Sequence, residues 1–264
     1  MKFFHHLLIA LFLFSSNFFA QSDNEDYTLE EIIVTAQKTE KSLQDVPIAV
    51  SALSADDLAL RQAVRFTDLQ LNVPNLSYSE TNFGGSSVSI RGIGRLATGI
   101  SFDQSVTTHI NESPWGENTN VATMFDMDRV EVLRGPQGTL FGRGTTAGLV
   151  NLVTKRPSVD SGVEGYAGFT TGEYDLQIFE GAVNIPLDDN FAVRAAYTQT
   201  ERDGFTENLY APVGGTFDGR EHYVGRISLR YDTGNTVIDY MYQEHEEEST
   251  RTLRTNYVCT PSAN

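Results

Sequence analysis

The sequence predicts a mixed α+β domain over residues 43–160, followed from residue 161 by antiparallel strands of a membrane-spanning β-barrel. Three observations carry that prediction. Composition favours strands, with 22 Gly, 16 Phe and 11 Tyr beside a single Trp in 264 residues. The middle of the chain passes repeatedly between short apolar runs, a capped helix and glycine-dense loops. Beyond Pro157, segments of roughly ten residues alternate apolar and polar side chains and carry aromatic rings at their ends, the pattern a membrane-spanning strand requires.

The first residues have the form of an export signal. Lys2 provides the positive start, "FFHHLLIALFLF" a short apolar core, and Ala20 a small residue for cleavage, although Phe18 stands where a small residue is usual. The run is short and gives way quickly to polar sequence, unlike a membrane-spanning helix. Residues 21–42 form a polar tether containing one apolar, β-branched island, "EEIIVTA" (Glu30 to Ala36). Such an island either adds as a strand to the sheet edge of another protein or is the first strand of the folded domain.

In the mixed domain, Ile48 to Ala52 alternates as a strand. Ser54 caps a helix whose first turn holds Asp56 and Asp57, favoured by the partial positive charge of a helix start. Leu58, Ala59, Gln62 and Val64 to Phe66 continue the helical spacing, a second short helix covers Phe66 to Leu71, and Pro74 ends it. "SVSIRGIG" is a strand closing on glycines, and a long polar, loop-rich stretch follows. In "RVEVL", Val130 and Val132 share one face and Arg129 and Glu131 the other, as in a half-buried strand.

The glycines after that strand raise the question of a phosphate cradle. The P-loop needs a lysine and a hydroxyl closing the motif, yet the first lysine after Gly142 is Lys155. In "GRGTTAG" the third glycine falls one residue late for a dinucleotide fingerprint, and the following "LVNLVTK" is strand-like rather than helical. The glycines instead permit tight turns and close backbone approach.

The ordered series "EEIIVTA", "DVPIAVSALSADDL", "LNVPNLSYS", "SIRGIG" and "DRVEVLRGPQGTLFGRGTTAGLVNLVTKRP" resembles the N-terminal part of a TonB-dependent outer-membrane receptor. Gly144, where relatives usually carry Asn, and "HINESPW" depart from the family pattern. The resemblance implies that Glu30, Glu31, Ile32, Ile33, Val34, Thr35 and Ala36 are the TonB box, which pairs with the periplasmic energy-coupling protein. It implies that residues 43–160 are a plug filling a barrel lumen. Arg129, Glu131, Arg134 and Arg143 are then expected as charge pairs holding the plug to polar barrel-wall groups. Tyr78, Phe83, Arg95 and Trp115, in or beside outward-facing plug stretches, are candidate ligand contacts. The expected partners are TonB, outer-membrane lipid and a small scarce nutrient such as an iron chelate (a siderophore complex) or cobalamin.

Strand alternation past Pro157 supports the same reading without the resemblance. Phe191, Val193, Ala195 and Tyr197 oppose Ala192, Arg194, Ala196 and Thr198; Tyr223, Gly225, Ile227, Leu229 and Tyr231 oppose Arg226, Ser228, Arg230 and Asp232. "DLQIFEGAVNI" alternates poorly. The links "PLDDN" and "DTGN" are short, whereas Glu201 to Gly219 and everything after Gln243 are long and polar, the asymmetry of outer-membrane barrels. The expected strands are far fewer than the about 22 of plugged transporters, so a truncated chain is expected, with Cys259 in an external loop.

No catalytic constellation is found, and neither a cofactor nor a metal is expected. His109, His222 and His245 are scattered, and "EHEEE" (Glu244 to Glu248) is expected as a solvated loop end rather than a metal cluster. A net charge of -16 argues against nucleic acid as a partner. Two other function classes stay open on sequence alone: a periplasmic plug-type binding module that does not transport, and a secreted β-rich enzyme.

Overall fold

The computed structural model describes residues 32–35, 38–39, 41–63, 65–80, 86–94, 104–115, 124–207 and 215–250. All belong to the compact unit Ile32–Asn264; the other unit, Met1–Glu31, which holds the expected export signal, lies outside the described residues.

The chain begins with two short paired strands, β1 (Ile33–Val34) and β2 (Lys41–Ser42). Strand β3 (Ala49–Ser54) runs into helix α1 (Ala55–Leu60) at the predicted cap. The Asp57 N–H donates to Ser54 Oγ at 3.1 Å, and the Ser54 N–H donates back to the Asp57 carboxylate at 3.3 Å. The helix stops short of the predicted spacing because Gln62 takes a left-handed φ of 50°. A 3-10 turn (Phe66–Asp68) then leads into α2 (Leu69–Asn72). Strands β4 (Leu76–Glu80), β5 (Ser86–Ile90) and β6 (Ile93–Gly94) form a small antiparallel sheet. They are followed by β7 (Val106–Ile110), β8 (Ser113–Pro114), β9 (Met127–Arg134), α3 (Gly138–Phe141) and β10 (Gly148–Thr154).

The first sheet has the order β3-β9-β10-β7-β8, with β10 and β7 parallel and the other pairs antiparallel. Its two faces are covered differently. Val130, Val132, Val150 and Leu152 pack with Phe66, Leu69 and Ile90 from the helical side. Leu133 and Leu149, on the opposite face, pack with Val34, Val46 and Ile32 from the N-terminal segment. The alternation in "RVEVL" is therefore real, but the expectation of a half-buried strand is corrected: β9 is central in its sheet and buried on both faces, with Glu131 fully enclosed.

Glycine allows the tight return from β9 to β10. Gly142 and Gly144 turn the chain at φ 81° and 83°. At Gly148 (φ 147°) an added Cβ would lie 2.1 Å from the Leu133 carbonyl oxygen, so the close strand contact there admits no side chain. The segment that follows is the fully buried strand β10, not a helix.

The second sheet is antiparallel and strictly sequential: β11 (Glu164–Gly172), β12 (Leu176–Pro186), β13 (Phe191–Arg202), β16 (Gly219–Asp232) and β17 (Val237–Thr250). Between β13 and β16 a small hairpin of β14 (Thr206–Glu207) and β15 (Thr216–Phe217) projects from the long connection. The poorly alternating segment is β12, held in register by partners on both sides. At the same end as the long connection, β11 and β12 are joined by only three residues, 173–175. "EHEEE" lies within β17 rather than in a loop, because β16 pairs with it in register through Glu221↔Glu248.

Candidate functional site

Glu131 is the polar centre of the first sheet. It is enclosed on the face that the N-terminal segment covers. Its carboxylate accepts the Thr35 backbone N–H at 2.8 Å and the Thr35 hydroxyl at 3.2 and 3.3 Å. Arg129 Nε donates to it at 2.8 Å, and Asn151 Nδ2 reaches it at 3.4 Å from β10. Arg129 also pairs with Asp128. Both oxygens of the enclosed carboxylate thus meet donors, the condition under which a buried acid is tolerated.

The consequence is a fastening for residues 32–35. Val34 is sealed beneath Leu133 and Leu149, Thr35 is tied to Glu131, and Ile33 remains about half exposed. Lys38 continues the contact by lying over the Phe141 ring at 5.5 Å, and Phe141 meets His109 edge-on at 5.4 Å. Glu30, Glu31 and Ala36 lie outside the described residues.

Arg129 and Glu131 were expected to reach across to the second sheet. They pair within the first domain instead, because β9 has neighbours on both edges and the N-terminal segment above it. Arg134 is half-buried at the end of β9, with an Nε that has no hydrogen-bond partner among the described residues, and Arg143 is exposed. The contact with the second sheet is made by Phe125 and Asp126, just before β9. Asp126 forms a forked pair with Arg194 of β13, at 2.9 Å to Nε and 2.5 Å to Nη2, with both residues buried. Arg226 of β16 lies over the Phe125 ring at 4.5 Å, while Phe125 packs with Ala182, Ala196 and Val224. Asn184 of β12, fully buried, clamps the connecting segment: it accepts the Ser158 N–H and donates to the Ser158 carbonyl and Ser161 Oγ, each at 3.0 Å. Sequence reasoning passed over Phe125 and Asp126 as part of a polar loop. The available signal was on the other side: Arg194 stands between Ala192 and Ala196, a long basic residue between small ones on one strand face.

Among the expected ligand contacts, Tyr78 packs against Phe66 at 5.4 Å, and Trp115 packs against the first core and meets His245 of β17 at 6.2 Å. Both pack against the same core of the first domain; Phe83, Arg95 and Cys259 lie outside the described residues.

The second sheet is inside-out relative to one in water. Arg194, Thr198, Arg226 and Ser228 are buried on the side facing the first domain. Ile227, Tyr231, Ile238, Tyr240 and Tyr242 are exposed on the other side. Polar-in and apolar-out is the arrangement of a sheet whose outer surface meets hydrocarbon.

Residues 42–149 match the family described as TonB-dependent Receptor Plug Domain. The chain is 30% identical over 151 residues to the iron-regulated outer membrane virulence protein of Vibrio cholerae serotype O1, covering 54% of this chain and 22% of that protein. It is 29% identical over 240 residues to the vitamin B12 transporter BtuB of Vibrio vulnificus, covering 84% and 39%. Among solved structures, the ferric yersiniabactin uptake receptor FyuA from Yersinia pestis superposes with a TM-score of 0.68 at 22% identity, over 77% of this chain and 32% of that one. The chain thus spans between about a fifth and two fifths of the length of these relatives.

Proposed function

We propose, for a chain that belongs to the TonB-dependent outer-membrane receptors by its plug domain, that it acts in the energised uptake of a scarce solute across the outer membrane. Iron-siderophore complexes and cobalamin are the solute classes that the names of its relatives suggest. It acts by binding and gating, without covalent chemistry. The observation that carries this reading is the fastening of residues 32–35 onto the buried carboxylate of Glu131. A periplasmic partner that takes this segment as an added strand removes one cover of the plug sheet. Leu133 and Leu149 then lose their apolar lid, and Glu131 loses the Thr35 donors. Pulling on the tether is in this way converted into loosening of the plug core, which is what opening a path through a lumen requires.

Residues 30–36 are assigned as the TonB-contacting segment, and Asp126, Arg194 and Arg226 as the anchor that keeps the rest of the plug seated while the segment leaves. The test is binding of the purified chain to the periplasmic domain of TonB. Ile33→Pro removes a strand N–H at a half-exposed side chain and is expected to abolish binding while leaving Trp115 fluorescence native. Unchanged TonB binding by that variant rules the assignment out.

A further inference from the structure

The plug-facing side of the second sheet carries a basic cluster at the end where the long connection leaves. Arg202 of β13 and Arg220 of β16 are direct cross-strand partners, and His222 follows on the same side, opposite Thr200. The charges of Arg220 and of Arg65, from the plug, both act on Arg202. Two like charges placed opposite one another on neighbouring strands are destabilising unless something lies between them. Here they converge in a chain with 35 acidic and 19 basic residues, where acidic neighbours were the easier choice.

The protein's own groups answer this cluster only in part. Arg202 Nη2 donates to the Asp218 carbonyl at 2.6 Å and its guanidinium lies over Phe205 at 5.0 Å, yet its Nε is buried without a partner among the described residues. Three carboxylates are close. Asp218 is held by the Thr206 hydroxyl at 2.6 Å, Glu247 stands across from His222, and Asp68 lies 3.6 Å from Arg65, whose side chain stays 58% exposed. A buried unpaired N–H beside clustered guanidiniums is the environment that binds an oxyanion, since Arg offers forked donors to carboxylate or phosphate oxygens.

We propose that Arg65, Arg202, Arg220 and His222 form a subsite for an oxyanion group, carboxylate or phosphate-like, of an anionic solute. This rests on the uptake reading only for calling the ligand a transported solute. The subsite lies between plug and sheet, so occupancy bridges the two and fixes the solute against the plug.

Calorimetric titration of the detergent-purified chain with citrate tests it, and inorganic phosphate as a second probe separates the two oxyanion sources. Citrate is expected to bind, with Arg202→Gln/Arg220→Gln weakening it about tenfold or more, the cost of losing charge-assisted donors. Arg61→Gln, an exposed arginine outside the cluster, is expected to change affinity less than about twofold. Arg220→Ala alone, at a half-buried position, carries the same test should the double variant lose its native Trp115 emission. Equal citrate affinity in wild type and either cluster variant overturns the subsite, as does an equal loss in Arg61→Gln. TonB-domain binding is measured on the same preparation. Its loss with citrate binding intact overturns the uptake reading alone, whereas the reverse overturns only the subsite.

Discussion

The plug sheet and the outer sheet are built from the same alternating strands but bury opposite sides. In β9 the apolar residues Val130, Val132 and Leu133 are fully enclosed, and the one acid among them is matched by four donors. In β16 and β17 the apolar residues are the open ones: Ile238 is 57% exposed and Tyr240 58%, while Arg226 is 3% exposed. Alternation states that a strand has two unlike sides; it does not state what each side meets. For the outer sheet the polar side is affordable only because Phe125, Asp126 and the backbone around them supply its partners. The two sheets are therefore one solution, in which the plug core is dry and the interface between the sheets is charged.

The strongest way to break that contrast is at Glu131. Glu131→Ala leaves the Arg129 Nε, Asn151 Nδ2 and the Thr35 N–H without the acceptor they share inside the plug. Removing one member of a buried charged set costs about 3–5 kcal/mol. The expected outcome is a large fall in the denaturant midpoint read from Trp115, the sole tryptophan, together with faster proteolysis at Lys38 and Lys41. A midpoint unchanged within error would mean that the fastening contributes nothing.

A somewhat smaller effect is expected on the outer face. Tyr240→Arg places a charge on the exposed apolar side of β17 and is expected to cost about 2–4 kcal/mol of folding into lipid vesicles if it sits near the bilayer midplane. Tyr240→Phe is the control and is expected to fold as the wild type does. If arginine is tolerated in lipid as well as phenylalanine, that side does not face hydrocarbon.

How much of this was legible differs between the regions. The strands of the outer sheet could be read from period alone, as could the Ser54 cap and the failure of the glycine loop as a nucleotide cradle. Each depends on residues close in sequence. The burial of Glu131 could not be read that way, since its cover comes from Thr35, 96 positions earlier. The same holds for the docking pair: Asp126 and Arg194 are 68 positions apart, and although Arg194 stands out between Ala192 and Ala196, nothing near it in sequence names Asp126 as its partner. β12 alternates poorly because small residues, Gly181 and Ala182, occupy its middle, and two flanking strands rather than its own pattern hold it. The basic cluster escaped for a similar reason. Arg65, Arg202 and Arg220 come from three elements, and only the register of β13 against β16 places the last two opposite each other.

The smallest expected effect concerns His109 of β7, which meets Phe141 in the plug. Its Nδ1–H donates to the Glu112 carbonyl at 3.0 Å, and in the neutral ring Nε2 accepts from the Thr107 hydroxyl at 3.2 Å. Burial, foremost, holds its pKa below the ordinary histidine value; Lys38 pushes the same way, and the Glu112 carbonyl opposes both. In the window below the ordinary value of about 6.5 the unfolded chain therefore binds the proton first. Stability is fully present above that value and is lost as pH falls beneath it, by an amount limited to one proton per molecule. Lys38 reaches His109 through the Phe141 ring, so an imidazolium there repels the lysine that helps hold the N-terminal segment. Acidification from pH 7 to pH 5 is thus expected to speed proteolysis at Lys38 as well as lower the midpoint, and His109→Gln to flatten both responses. A pH response unchanged in that variant would move the titration to another group and leave His109 a packing residue of the plug.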